Sequence, residues 1–155
     1  MAATDFFTVE IWTLKGIIRY QVLFVIRLAT GETSIAGISA ECHGLRMEQA
    51  ARNLTDGFDG FLAVCRFLIH DRDPLFTAGF KRILHREGLK AVRLPKRSQN
   101  LNAFAECFVR SIKEECLDQM IFFRGQSPCY AVAEYLGHYH RERNHQGMEG
   151  RIIQP

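Results

Sequence analysis

The sequence predicts an α/β domain: a five-stranded mixed sheet, an antiparallel meander followed by parallel strands, flanked by helices. Three observations predict it. Residues 5–38 carry three β-rich runs separated only by short turns, with no helical period between them. From residue 46 to 94 helical and strand patterns alternate, as crossover connections require. Beyond residue 102 the apolar spacing is helical.

Each element has its own signal. Residues 5–12 and 17–28 are β-rich and are joined by Thr13-Leu14-Lys15-Gly16, a hairpin turn in which Gly supplies the unusual dihedral. Ala29-Thr30-Gly31-Glu32 forms a second turn into a short strand over Thr33–Ile38. Arg46 to Phe58 reads as a helix, with Met47, Ala50, Ala51, Leu54 and Phe58 on one face. Cys65–His70 is a strand, Thr77–Glu87 a helix stopped by Gly88, and Leu89–Leu94 the fifth strand. A polar loop over Pro95–Asn100 leads to a long helix from about Asn102 to Leu117. A last helix runs from about Ser127, an N-cap before Pro128, to about Arg143.

The chain of 155 residues, 47% hydrophobic and 24% charged, has the composition of one globular domain spanning 1–155. No apolar run approaches the roughly 20 residues that span a bilayer, so no membrane partner is expected. The N-terminus has no charged-then-apolar signal pattern, which makes a cytoplasmic location the expectation. Five cysteines, an odd number without a Cys-x-x-Cys pair, argue against a disulfide framework and a zinc knuckle and for buried free thiols. His138, His140 and His145 read as a polar helix end, with no cysteine at zinc-ligand spacing. The aromatic residues, Phe58 and Phe67 among them, read mostly as core. The net charge of +3 is unevenly spread: residues 1–80 carry −2, residues 81–115 carry +5, and residues 116–155 carry 0. Acids thus gather in the first half and bases just before and along the residue-106 helix. That pattern suits a phosphate backbone lying across a metal site, and equally a solvated basic face.

Three carboxylates occupy positions suited to metal chemistry. Asp5 begins the first strand, Asp71 ends the run Phe67-Leu68-Ile69-His70-Asp71, and Glu106 lies near the start of a helix. Two strand-borne Asp and one helical Glu supply the all-oxygen donor set that two divalent cations need for phosphoryl transfer. Asn102, Glu106, Arg110 and Lys113 follow steps of four, four and three, hence one helix face. Two cations would then stand in line with the Glu, able to grip phosphates. The plainer reading of the same pattern is a surface Glu106–Arg110 ion pair.

At this point the segments carry a resemblance. Asp5 with Val9-Glu10-Ile11-Trp12, the run Leu68-Ile69-His70-Asp71-Arg72-Asp73-Pro74-Leu75-Phe76, and Asn100–Lys113 together resemble the integrase catalytic core of DDE transposases and retroviral-like integrases. His138–Gly147 is similar to the signature that closes this core in bacterial insertion-sequence transposases. The resemblance implies an RNase H-like fold, two Mg²⁺ or Mn²⁺ ions, and DNA cleavage or strand transfer. It implies Asp5, Asp71 and Glu106 as catalytic and metal-ligating residues, and Arg110 and Lys113 match its basic positions four and seven after the Glu; Asn102, Lys96 and Arg97 are further candidates for DNA contact, and a homo-oligomer acting on element-end and target DNA is expected. It favours Asp71 over Asp73, because the second acid of the family ends its strand and precedes an aromatic by five positions, here Phe76; Asp73 is expected to cap the following turn. There are departures. Cys107 stands where Arg or Ser is common, Gln99 where Pro is common, and only four residues precede Asp5. No helix-turn-helix segment is evident, so a fragment and a non-catalytic DNA-binding or assembly remnant are alternatives; an RNase H-like nuclease is the rival from the same fold.

Overall fold

In the computed structural model, residues 1–95, 103–114 and Glu134 are described. The strands are β1 (Ala2–Thr13), β2 (Gly16–Arg27), β3 (Thr33–Ser39), β4 (Phe67–His70) and β5 (Lys90–Arg93). The helices are α1 (Gly44–Thr55), α2 (Ala78–Arg86) and α3 (Ala103–Ile112). One sheet results, ordered β3-β2-β1-β4-β5. Its first three strands are antiparallel, and β4 and β5 add on in parallel. This is the predicted mixed sheet. The expected final helix at 127–143 lies outside the described residues.

The turns behave as their residues require. Gly16 closes the β1–β2 hairpin at φ 118°, a conformation that costs a side-chain-bearing residue dearly. Gly88 follows α2 at φ 81°, and its N–H returns to the His85 carbonyl at 3.0 Å. Thr77 caps the start of α2, its Oγ1 accepting the Phe80 N–H at 3.2 Å.

The period-two alternation of the strands divides the core between two faces of the sheet. On one face Phe7, Val9, Val22, Phe24 and Ile26 pack against Ala105, Phe108 and Ile112 of α3. The Phe24 and Phe108 rings lie 4.9 Å apart there. On the other face Ala2, Leu23, Val25 and Leu68 pack against Met47, Ala51 and Leu54 of α1 and Phe80 and Leu84 of α2. Helices thus pack on both faces of the sheet, while the parallel strands β4 and β5 stay partly exposed.

Four expectations are corrected. The helix expected to reach Phe58 stops at Thr55, and Phe58 is 99% exposed. Asp56 leaves helical dihedrals, and its side chain accepts the Phe58 N–H at 2.8 Å, closing a turn that outcompetes another helical residue. Phe67 is also exposed, because it opens β4 on the face opposite Leu68. Cys107 is exposed and Cys42 and Cys65 are only half-buried, contrary to the expectation of buried thiols. On α3 the buried positions are Ala105, Phe108 and Ile112, which turns Cys107 outward. Finally, β1 begins at Ala2 rather than at Asp5, because Ala2 and Ala3 pair with both β2 and β4.

Candidate active site

Asp5 and Asp71 are brought together by strand register. The parallel β1–β4 pairing sets Ala2 opposite Leu68 and Ala3 opposite Ile69. Continued by two residues, the same register sets Asp5 opposite Asp71, just past the end of β4. Both fall on the α3 face of the sheet. Asp5 alternates with Phe7 and Val9, which pack under α3, while Asp71 alternates with Leu68 and His70, which are buried on the other side. Glu106 follows the buried Ala105 in the first turn of α3 and is itself exposed. Three carboxylates from two adjacent strands and the overlying helix thus share one side of the sheet.

The electrostatics of Asp5 register that arrangement. Its carboxyl is pushed up from 3.8 to about 6, first by burial, with the Phe6 N–H pulling the other way, and then by the negative charges of Asp71, Asp73 and Glu106. The Phe6 N–H donates to Asp5 Oδ1 at 2.8 Å. Asp5 therefore senses both other acids singled out in the sequence. The three do not close into one ligand cage: among the described residues, no three Asp, Glu, His or Cys side chains form a group able to hold a metal ion together. The donor chemistry is nonetheless that of a hard cation, all oxygen and strongly anionic, with repulsion at Asp5 that a cation would relieve.

Asp71 and Asp73 each accept the backbone N–H of the residue two positions on. The Asp73 N–H donates to Asp71 Oδ1 at 3.0 Å, and the Leu75 N–H donates to Asp73 Oδ1 at 2.8 Å. Asp73 is thereby occupied in shaping the turn toward α2, in line with the expectation. His70, absent from the sequence-based candidates, is buried beneath this turn, and its Nδ1 donates to the Asp71 carbonyl at 2.7 Å. Burial pushes its pKa down, favouring a neutral ring. Its ring lies 4.9 Å from that of Phe76. Only the buried half of the strand alternation could have pointed to it.

On α3, Arg110 and Lys113 are exposed, one and two turns beyond Glu106. No ion pair joins Glu106 to Arg110 among the described residues. Lys96, Arg97 and Asn102 lie outside the described residues. No described helix is long and apolar enough to cross a membrane.

Comparison with known proteins bears on this architecture. Residues 87–152 match a family described as Integrase core domain. No curated protein sequence matches the chain. Among solved structures, the catalytic core domain of BIV integrase is similar at a TM-score of 0.69 and 14% identity, covering 98% of this chain and 89% of that one. The HTLV-2 integrase catalytic core domain, solved in complex with magnesium in a dimeric form, is similar at a TM-score of 0.62 and 11% identity, covering 98% and 90%. A simian T-cell lymphotropic virus intasome in complex with PP2A regulatory subunit B56 gamma is similar at 0.61 and 9% identity, covering 90% of this chain and 48% of that one. The chain has the RNase H-like fold of retroviral integrase catalytic cores, and its C-terminal part matches the integrase core family.

Proposed function

We propose that this protein is a divalent-metal-dependent polynucleotidyl transferase core that cleaves DNA and transfers DNA strands, as in integration or transposition. One observation carries the reading. Asp5, at the position the strand register sets opposite Asp71 on the sheet face covered by α3, has its carboxyl raised by burial and then by the charges of Asp71, Asp73 and Glu106. The integrase-like fold and the match of residues 87–152 to the integrase core family support this reading.

In this reading Asp5, Asp71 and Glu106 would hold two Mg²⁺ or Mn²⁺ ions. When bound, such ions supply positive charge at the scissile phosphate and favour ionisation of the attacking hydroxyl. The remaining work falls to the chain itself. The Asp73 N–H and the His70 ring hold Asp71 at both its carboxylate and its carbonyl, which limits its freedom at the strand end. Arg110 and Lys113 would bind DNA phosphates beside the acids, joined by Asn102, Lys96 and Arg97. A homo-oligomer on element-end and target DNA is the expected working form.

The alternative, a DNA-binding remnant without turnover, draws on the absence of a three-acid ligand cage among the described residues. Nicking of supercoiled and element-end DNA in Mg²⁺ and in Mn²⁺ separates the two. Cleavage by the full chain, lost in Glu106→Gln while DNA binding persists, is the expected result. DNA binding with no nicking in either metal would sink the catalytic reading and leave the remnant.

A further inference from the structure

The end of β4 is bordered by cations that the reading above does not use. Arg93 stands opposite His70 in the parallel β4–β5 register, and so lies on the α2 side of the sheet with the buried imidazole. Lys81 follows Phe80 on α2, and its charge and that of Arg93 both act on His70. Arg72 leaves the strand end in the same turn as Asp71. Its Nε donates to the Leu94 carbonyl at 3.2 Å, while the Leu94 N–H donates to the His70 carbonyl at 2.9 Å. Arg72 and Arg93 are exposed and Lys81 is half-buried. None of the three is ion-paired with a carboxylate among the described residues.

Three cations from a turn, a helix and an edge strand thus border the end of β4, although the acids of the strand end stand just across the turn and Asp71 also acts on His70. Surface cations without carboxylate partners, drawn together from separate elements, form a standing positive field. A polyanion satisfies that field best when it continues past the acids. On their far side, α3 presents Arg110 and Lys113. We propose that Arg72, Lys81 and Arg93 form a second phosphate-binding site for duplex DNA, on the α2 side of the strand end that carries Asp71. A duplex crossing the acidic centre would then be held on both sides of it. The proposal deepens the DNA-directed function above and rests on that reading for the identity of the polyanion.

The test is the salt dependence of binding by the full chain, using fluorescence anisotropy with a duplex of arbitrary sequence, about 30 base pairs long, from about 50 to about 300 mM KCl. A Lys81→Gln/Arg93→Gln variant is compared with Arg19→Gln/Arg52→Gln, which removes the same net charge elsewhere. The expected result is roughly tenfold weaker binding or more, and a salt slope shallower by about two phosphate contacts, in the first variant only. An unchanged slope, or an equal loss in the control, overturns the site. So does a loss seen with duplex RNA and absent with DNA. Arg93→Gln alone, at an exposed edge-strand position, keeps the test valid if the double variant does not fold, with an expected slope change of about one contact. Failure here is distinguishable from failure of the catalytic reading. Cleavage that depends on Glu106, with a wild-type slope in the double variant, overturns only this site. A Lys81- and Arg93-dependent slope without cleavage supports this site and sinks catalysis.

Discussion

Replacing Asp5 with Asn keeps an Oδ1 able to accept the Phe6 N–H, seen at 2.8 Å, and removes only the charge. The native carboxyl sits at about 6 against 3.8 for a free one. Each pKa unit corresponds to about 1.4 kcal/mol; because Asp5 is only partly buried, solvent screening reduces the total to on the order of 1–2 kcal/mol. The sign follows from proton linkage. Between 3.8 and about 6 the folded state holds more protons than the unfolded state, so stability falls as pH rises through that window. Above about 6 the full cost of an ionised Asp5 is present. Asp5→Asn should therefore be about neutral near the bottom of the window and more stable than wild type by on the order of 1–2 kcal/mol at neutral pH. Urea unfolding of both proteins at several pH values, in chelator and at equal m-value, measures this directly. Millimolar Mn²⁺ should then shrink or reverse the difference if Asp5 is a metal ligand as proposed, since only wild type would keep that carboxylate charge. A gain that does not vary with pH, or a loss at neutral pH, would refute the claim that like charges and burial strain this carboxyl.

Three further outcomes are expected. Millimolar Mn²⁺ should raise the melting temperature of the wild-type chain, and Asp71→Asn should abolish that rise while slightly stabilising the metal-free protein; a melt indifferent to Mn²⁺ in both would count against metal binding. Arg110→Ala with Lys113→Ala should weaken DNA binding and flatten its salt dependence by up to about two phosphate contacts, whereas an unchanged slope would reduce this helix face to a solvated surface. Phe108→Ala should cost about 3–5 kcal/mol in urea unfolding, because the ring is fully buried against Phe7 and Phe24 and leaves a cavity between α3 and the sheet; a cost below about 1 kcal/mol would show that α3 is not docked as described.

The parts of this fold written in local sequence were legible, and the parts written in register were not. The meander, the alternation that follows and the Gly88 stop after α2 depend on residues within a few positions of one another, and each lies where the sequence places it. The end of α1 was misread because Phe58 keeps the helical spacing, while the competing Asp56 side-chain turn leaves no mark in a hydrophobic pattern. Within the site, the Leu75 N–H donates to Asp73 as expected of a turn-capping acid, but Asp71 accepts the Asp73 N–H in the same way, so the turn does not separate the two. What no local pattern contains is the parallel pairing itself. Ala2 opposite Leu68 sets Asp5 beside Asp71, and His70 opposite Arg93 sets a buried imidazole beside a cation from the edge strand. The charge excess of residues 81–115 is visible in the sequence, but sequence alone draws it along the Glu106 helix, because helix faces can be read from spacing and strand pairs cannot. Lys81 and Arg93 belong to that same excess, and the sheet carries their charge to the opposite side of the acids. A basic segment in an α/β sequence therefore defines two surfaces until the strand order is known, and here the order β1-β4-β5 divides it between them.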